Sequence, residues 1–296
     1  MRRAALPLSH VWLAVAIMAV WGSNFVVMKA GLEHLPSLFF AGLRFTLVAF
    51  PVVFFLPRPR VRWRNLATYG LFIGLGQFGL IFTALNGHIS PALASLVAQT
   101  QVFFTIVLAL VFDDEGVKPR QWAALLLAAL GLAIIAFHTD AQTSMLGLLL
   151  VLGAALCWAL GNMASRNAGR VNMLSYVAWS SLFAAPSLLA FSLAVEGPQA
   201  ILQGVQEATM GTWGAVIWQA LGNSLFGYAA WGWLLARHPA ATITPMALLV
   251  PVFGFTTSAL WLGEPLPIWK LAAAALVMAG LTLNLLAPKA PQETKA

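Results

Sequence analysis

The stretch VWLAVAIMAVWGSNFVVM, residues 11–28, decides the fold. It holds no charged residue. Widened to residues 10–32 it reaches the roughly 20 predominantly apolar residues that a helix needs to cross a bilayer. Arg2 and Arg3 precede it, as in a secretory signal. The run is longer than a signal core and lacks an obvious cleavage site, so it reads as a first membrane helix. Working outward, hydropathy marks nine further runs at 36–56, 66–87, 91–112, 119–137, 145–168, 172–194, 212–235, 240–261 and 267–287. Backbone groups in lipid must pair within their own segment, so such runs are helices. The expected fold is an all-α polytopic membrane protein of ten transmembrane helices.

Composition agrees. The 296 residues are 60% hydrophobic and 8% charged, against about 25% charged in a soluble domain. Such a chain cannot cover itself against water. The net charge of +7 would suggest nucleic acid in a soluble protein. Here the basic residues fall in short loops, where they orient helices, so the expected partners are a small-molecule substrate and the lipid bilayer, with no nucleic acid. The single cysteine, Cys157, lies in an apolar run, which leaves no disulfide framework or metal cluster. No cofactor is expected, and both a monomer and a homodimer are open.

With the N-terminus placed in the cytoplasm, Arg2, Arg3, Arg58, Arg60, Arg62, Arg64, Lys118, Arg120, Arg166, Arg170, Arg237, Lys289 and Lys295 are cytoplasmic, 13 of the 16 basic residues. Lys29 and Lys270 fall on the opposite side, and Arg44 lies inside the second span. The alternation persists through ten crossings, which supports the helix count and predicts that both termini are cytoplasmic.

The halves echo each other. Glu115 to Gly131 matches Glu264 to Gly280 at an offset of 149, and Trp21 and Lys29 match Trp158 and Arg166 at an offset of 137. Five spans per half is odd, so the second half enters the membrane upside down. Inverted five-helix repeats are a mark of secondary transporters. The expected organisation is a first repeat at 1–138, a second at 145–288 and a short tail at 289–296.

Gly74, Gly76 and Gly79 spell G-x-G-x-x-G, but inside an apolar membrane run rather than between strand and helix. With Gly70 they suit close helix packing. There is no P-loop and no H-E-x-x-H, and no nucleophile–base pair at membrane depth, so an enzyme is not expected. The histidines, His10, His34, His88, His138 and His238, all fall at predicted helix ends or loops. None of the nine acidic residues lies deep in a span. A buried carboxylate is the usual proton or sodium handle, so the sequence suits a facilitator or an exchanger coupled by another route.

Neutral polar and aromatic residues do occur at depth. Trp21, Asn24 and Met28 share one helical face, as do Trp158, Asn162 and Ser165 on the matching helix of the other half. Gln77 joins from the third span. On the fourth, Ser95 and Gln99 lie on one side, with Gln101 and Thr105 nearly opposite. Gln219 and Asn223 share a face of the eighth, followed by Tyr228 and Trp231. Pro245 and Pro251 interrupt the ninth, where a missing backbone donor frees a carbonyl one turn earlier. The set Trp21, Asn24, Gln77, Gln99, Trp158, Asn162, Asn223, Tyr228, Trp231 and Pro251 is the candidate substrate site. Arg44 has two readings, bonding helix-end carbonyls near the far interface or holding a substrate carboxylate.

The run Trp21-Gly22-Ser23-Asn24-Phe25, the step Leu43-Arg44-Phe45 and the glutamates Glu115 and Glu264 resemble the EamA-type family of the drug/metabolite transporter superfamily. The segments ASLVAQTQVFFTI at 94–106, GYAAWGWLL at 227–235 and LLVPVFG at 248–254 resemble, more narrowly, bacterial cysteine and O-acetylserine exporters. The resemblance runs from about residue 11 to 287. It implies ten helices, inverted repeats, a central cavity and export of amino acids or related metabolites by alternating access. The motif does not repeat cleanly, because Trp158-Ala159-Leu160-Gly161-Asn162 is one residue longer between Trp and Asn. A zwitterion needs partners for both charges. Amides and carbonyls near Pro251 offer them, and Trp21, Trp158 or Tyr228 would add a cation–π contact of about 0.5–2 kcal/mol. Exporters of aromatic amino acids or small drugs, and a lipid-linked sugar or lysolipid translocase, would share this fold.

Overall fold

The computed structural model describes residues 7–112, 119–138, 143–238 and 240–285. Glu115, Asp113, Asp114 and the terminal basic residues therefore lie outside the described residues. The first half runs α1 (Leu8–Gly31), α2 (Ser37–Ala49), α3 (Val52–Phe55), α4 (Trp63–Gly70), a π-helical segment π1 (Leu71–Phe78), α5 (Gly79–Leu85), α6 (Pro91–Ala98), α7 (Gln101–Phe112) and α8 (Pro119–Phe137). The second half runs α9 (Met145–Asn167), α10 (Met173–Val195), α11 (Pro198–Glu207), α12 (Met210–Trp218), π2 (Gln219–Phe226), α13 (Gly227–Arg237), α14 (Ala240–Ile243), a 3₁₀ turn (Thr244–Leu248), α15 (Leu249–Leu262) and α16 (Ile268–Leu285).

Among the described residues nine runs are long and apolar enough to cross a membrane, from Leu8–Gly31 to Ile268–Leu285. The continuous helical run 210–237 is not one of the nine; Gln219, Asn223 and Ser224 lie in its middle. The segment 195–211, read from sequence as a loop, contains α11, which starts at Pro198 after Gly197 in the left-handed region at φ 84°.

Contacts at the helix ends fix the sense of each half. Lys29, near the end of α1, donates from Nζ to the Leu85 carbonyl at the end of α5 (3.2 Å). The adjoining His88 carbonyl accepts from the amide of Ser144, just before α9 (2.8 Å). At the other end of the bundle, Asn65 in α4 donates to the Ala164 carbonyl near the end of α9 (2.8 Å). So α9 begins where α1 ends, and the repeats run in opposite senses.

The packing obeys the same exchange. α2 packs on α10, α6 on α15 and α8 on α16; α1 against α12–α13 and α15 is matched by α9 against α4–α5 and α6–α7. The clearest pair is α8 with α16. A methyl on Gly131 would stand 2.7 Å from Val277 Cγ2 and 3.0 Å from the Ala273 carbonyl oxygen. One on Gly280 would stand 2.7 Å from the Ala124 carbonyl oxygen and 3.4 Å from the Ala128 nitrogen. Each member of the first set is its counterpart in the second shifted by 149 residues. Lipid gives helices no hydrophobic reason to associate, so close backbone approach over small residues does this work.

The π-helical segments also correspond: Gly74-Leu-Gly76-Gln-Phe78-Gly79 and Gly222-Asn-Ser224-Leu-Phe226-Gly227 sit at the same place in the two repeats. Such bulges are frequent at functional sites.

Candidate substrate cavity

A cavity of about 560 Å³ lies between the repeats. Trp21, Asn24 and Met28 of α1 face it, as do Trp158, Asn162 and Ser165 of α9. The 3.6-residue period alone placed each trio on one face. Gln77, Gln99, Asn223, Tyr228 and Trp231 also line it. Nine of the ten substrate-site residues named from sequence thus converge on one space. Among the described residues, the lining includes no Asp, Glu, Lys, Arg or His.

Pro251 is the exception. It is buried but does not line the cavity, and neighbouring Val250 does. The sequence reading put Pro251 near the middle of a helix. In the structure α15 starts at Leu249, preceded by the 3₁₀ turn, so Pro251 occupies a first turn where its missing N–H costs nothing. The irregular stretch that borders the cavity is upstream, at Thr244, Ala247 and Leu248.

Gln101 was expected nearly opposite Gln99, yet both line the cavity. The helix breaks at Gln99 and Thr100, between α6 and α7, which shifts the phase of the faces. Gln101 Oε1 then accepts from Asn162 Nδ2 at 3.0 Å, joining the two repeats. Tyr69 and Phe78, also on the wall, escaped the sequence reading. A tyrosine inside an apolar run was the available signal, since the chain has only three.

On the α1 side a polar network links to π2. Gln219 Nε2 donates to Asn24 Oδ1 at 2.7 Å, and Trp21 Nε1 donates to the Asn223 carbonyl at 3.2 Å. Gly227 admits the Trp21 indole; any side chain there would collide with it. Trp21 in turn has ring centroids 6.0 Å from Tyr228 and 5.6 Å from Trp231. Gln219 is wholly buried, and among the described residues its Oε1 has no hydrogen-bond partner, as is true of Gln77 Oε1.

Arg44 does not line the cavity. It is 1% exposed and donates from Nε (3.2 Å) and Nη2 (2.9 Å) to Ser224 Oγ in π2. Its guanidinium carbon lies 3.7 Å over the Phe78 ring of π1. The expected helix-end carbonyls are not its partners, because its side chain reaches inward between the two π segments.

The cavity is asymmetric along the bundle axis. Its lining reaches Met173, Leu235, Thr244 and Leu285, at helix ends on the side where α1 begins. Beyond Met28, Ile81 and Ala98 the opposite end is packed with Leu32, Leu35, Phe40, Phe82, Leu85 and Ile89, all buried. Carboxylates tie that end together. Glu196 accepts from Ser37 Oγ, Ser192 Oγ and the amides of Leu38 and Phe39, at 2.6–3.1 Å. Glu264 accepts from Lys270 Nζ (2.9 Å), the Ala92 amide (3.3 Å) and Ser258 Oγ. Each satisfies orphan amides at a helix start, where negative charge is also favoured by the helix dipole.

Two oppositely running repeats around a central cavity are the architecture of a transporter. The EamA-like transporter family model matches residues 8–137 and again 145–286. The chain belongs to that family. This EamA-like protein is 40% identical over 279 residues to a probable amino-acid metabolite efflux pump of Salmonella typhimurium, covering 92% of this chain and 93% of the relative. It is 39% identical to a protein of the same description in Escherichia coli K12, with the same coverage. A probable terminal-alkyne amino-acid exporter of Streptantibioticus cattleyicolor is 26% identical over 92% of each chain. A solved crystal structure, 18% identical, superposes with a TM-score of 0.61 over 94% of this chain and 96% of its own, a likeness of fold. The protein is therefore a multi-pass membrane transporter and not an enzyme.

Proposed function

We propose that this transporter exports amino acids or close derivatives, cysteine and O-acetylserine foremost, across the bacterial inner membrane by alternating access around the central cavity. The observation that carries this reading is the uncharged, amide- and indole-lined space between inverted repeats, open toward one end and packed shut at the other. Run 210–237 completes ten spans, with repeats at 1–138 and 145–288 and a tail at 289–296. Both termini lie in the cytoplasm, so the cavity faces the cytoplasm, the loading side for an exporter. The relatives described as probable amino-acid metabolite efflux pumps support the substrate class.

Asn24, Gln77, Gln99 and Asn162 offer amides to both ends of a zwitterion, while Trp21, Trp158, Tyr228 and Trp231 offer aromatic faces to the ammonium. A neutral site binds weakly, which suits relief of metabolite overload. Its volume lies within the roughly 300–1,000 Å³ of sites for drug-sized ligands. That size and the aromatic wall favour aromatic amino acids as the second reading.

The test is efflux from proteoliposomes loaded with labelled cysteine, O-acetylserine, phenylalanine or a lysolipid. Amino-acid efflux without an imposed proton gradient is expected. Movement of lysolipid alone refutes the substrate class, and strict dependence on a proton gradient refutes the facilitator mechanism.

A further inference from the structure

Arg44 is a buried cation without a counter-ion among the described residues. Of its three guanidinium nitrogens, Nε and Nη2 share one hydroxyl, Ser224 Oγ, and Nη1 has no hydrogen-bond partner. The four described acids are elsewhere. Glu196 and Glu264 are engaged with helix starts at the far end, and Glu33 and Glu207 are exposed there. Burying an unpaired charge is strongly unfavourable, so the site has reason to attract an anion.

What separates Arg44 from the cavity is one layer of aromatic side chain. Phe78, on which the guanidinium lies at 3.7 Å, is itself a wall residue. Ser224, its hydrogen-bond partner, follows Asn223, also on the wall. Among the described residues the lining carries no charged side chain, and the Arg44 guanidinium stands directly behind it against the Phe78 ring.

We propose that Arg44 sets the charge preference of the cavity: it selects substrates bearing a free carboxylate and rejects those in which that carboxylate is capped or missing. This rests on the export reading above and names the feature of the substrate that the site reads. Arg44 acts across Phe78, by its field, and Ser224 holds it in place.

The test compares matched pairs on the intact transporter in detergent: cysteine against cysteinamide, serine against serinamide, phenylalanine against phenylalaninamide. Quenching of tryptophan fluorescence, which Trp21, Trp158 and Trp231 on the wall make sensitive to occupancy, gives the dissociation constants. Each free acid should bind about tenfold to a hundredfold tighter than its amide, the range for unit charges about 7 Å apart at an effective dielectric near 20. R44K should keep that ratio and R44Q should collapse it toward one. A folded R44Q that keeps the wild-type ratio overturns the assignment to Arg44, and if R44Q does not fold, loss of the ratio in the charge-conserving R44K overturns it. Equal binding within every pair overturns this proposal and leaves the export reading intact. Failure of all six compounds to bind a correctly folded protein overturns both.

Discussion

Replacing Asn24 by Ala separates the two tasks that the structure gives this side chain. Asn24 lines the cavity and also accepts from Gln219 Nε2 at 2.7 Å. Gln219 is fully buried and its Oε1 is already without a partner. Asn24→Ala therefore leaves a whole amide unsatisfied. Hydrogen bonds between membrane helices average about 0.6 kcal/mol and reach about 1.7, and a stranded buried polar group costs about 1–3. The expected loss is about 1–2 kcal/mol, a factor of roughly 5–30 in the folding equilibrium. Gln219→Leu removes the stranded amide, so the double variant should regain most of that loss. Reversible unfolding in mixed micelles measures stability, and counterflow of labelled cysteine measures transport. If Asn24 meets the substrate, the double variant recovers stability while transport stays depressed. Recovery of both reduces Asn24 to a support for Gln219. A double variant no more stable than Asn24→Ala refutes the account of the network.

Other perturbations test the packing and the opening. Gly131→Ala and Gly280→Ala should each destabilise by about 1–3 kcal/mol, because the added methyl meets backbone or a branched side chain on the partner helix. Gly214→Ala, with nothing within 4 Å, should be neutral or gain up to about 1 kcal/mol; equal melting temperatures for all three would dismiss the close α8–α16 contact. Lys270→Met strands Glu264, whose side chain is 3% exposed, and should cost about 3–5 kcal/mol. Adding Glu264→Gln should restore most of it, and an unchanged Lys270→Met midpoint in denaturant would contradict the buried pair. In a Cys157→Ala background, Leu235→Cys and Thr244→Cys should react with an impermeant maleimide from the side bearing the N-terminus. Ile81→Cys should resist the reagent from the opposite side, and labelling there would show that the far end is not sealed.

The legible part of this protein is the part governed by local periodicity and by the bilayer. Charge-free runs of about twenty residues had to be helices, since lipid offers no partner for a bare peptide group. The 3.6-residue period put Trp21 with Asn24 and Met28, and Trp158 with Asn162 and Ser165, without reference to any contact. The repeat, read at an offset of 149, returned as the reciprocal packing of Gly131 and Gly280.

Tertiary structure decided whatever depended on a break in that period or on a partner distant in the chain. The interruption at Gln99–Thr100 carried Gln101 to the same space as Gln99, and the 3₁₀ turn left Pro251 in a first turn, off the wall. The placement of the paired π segments, and of Arg44 between Ser224 and Phe78, needed both halves assembled. Hydropathy weighs each residue alone, whereas the partners of Asn24 and Arg44 lie about 180 or more residues away in sequence. A one-dimensional pattern reports which face a residue occupies; only the fold reports what that face meets.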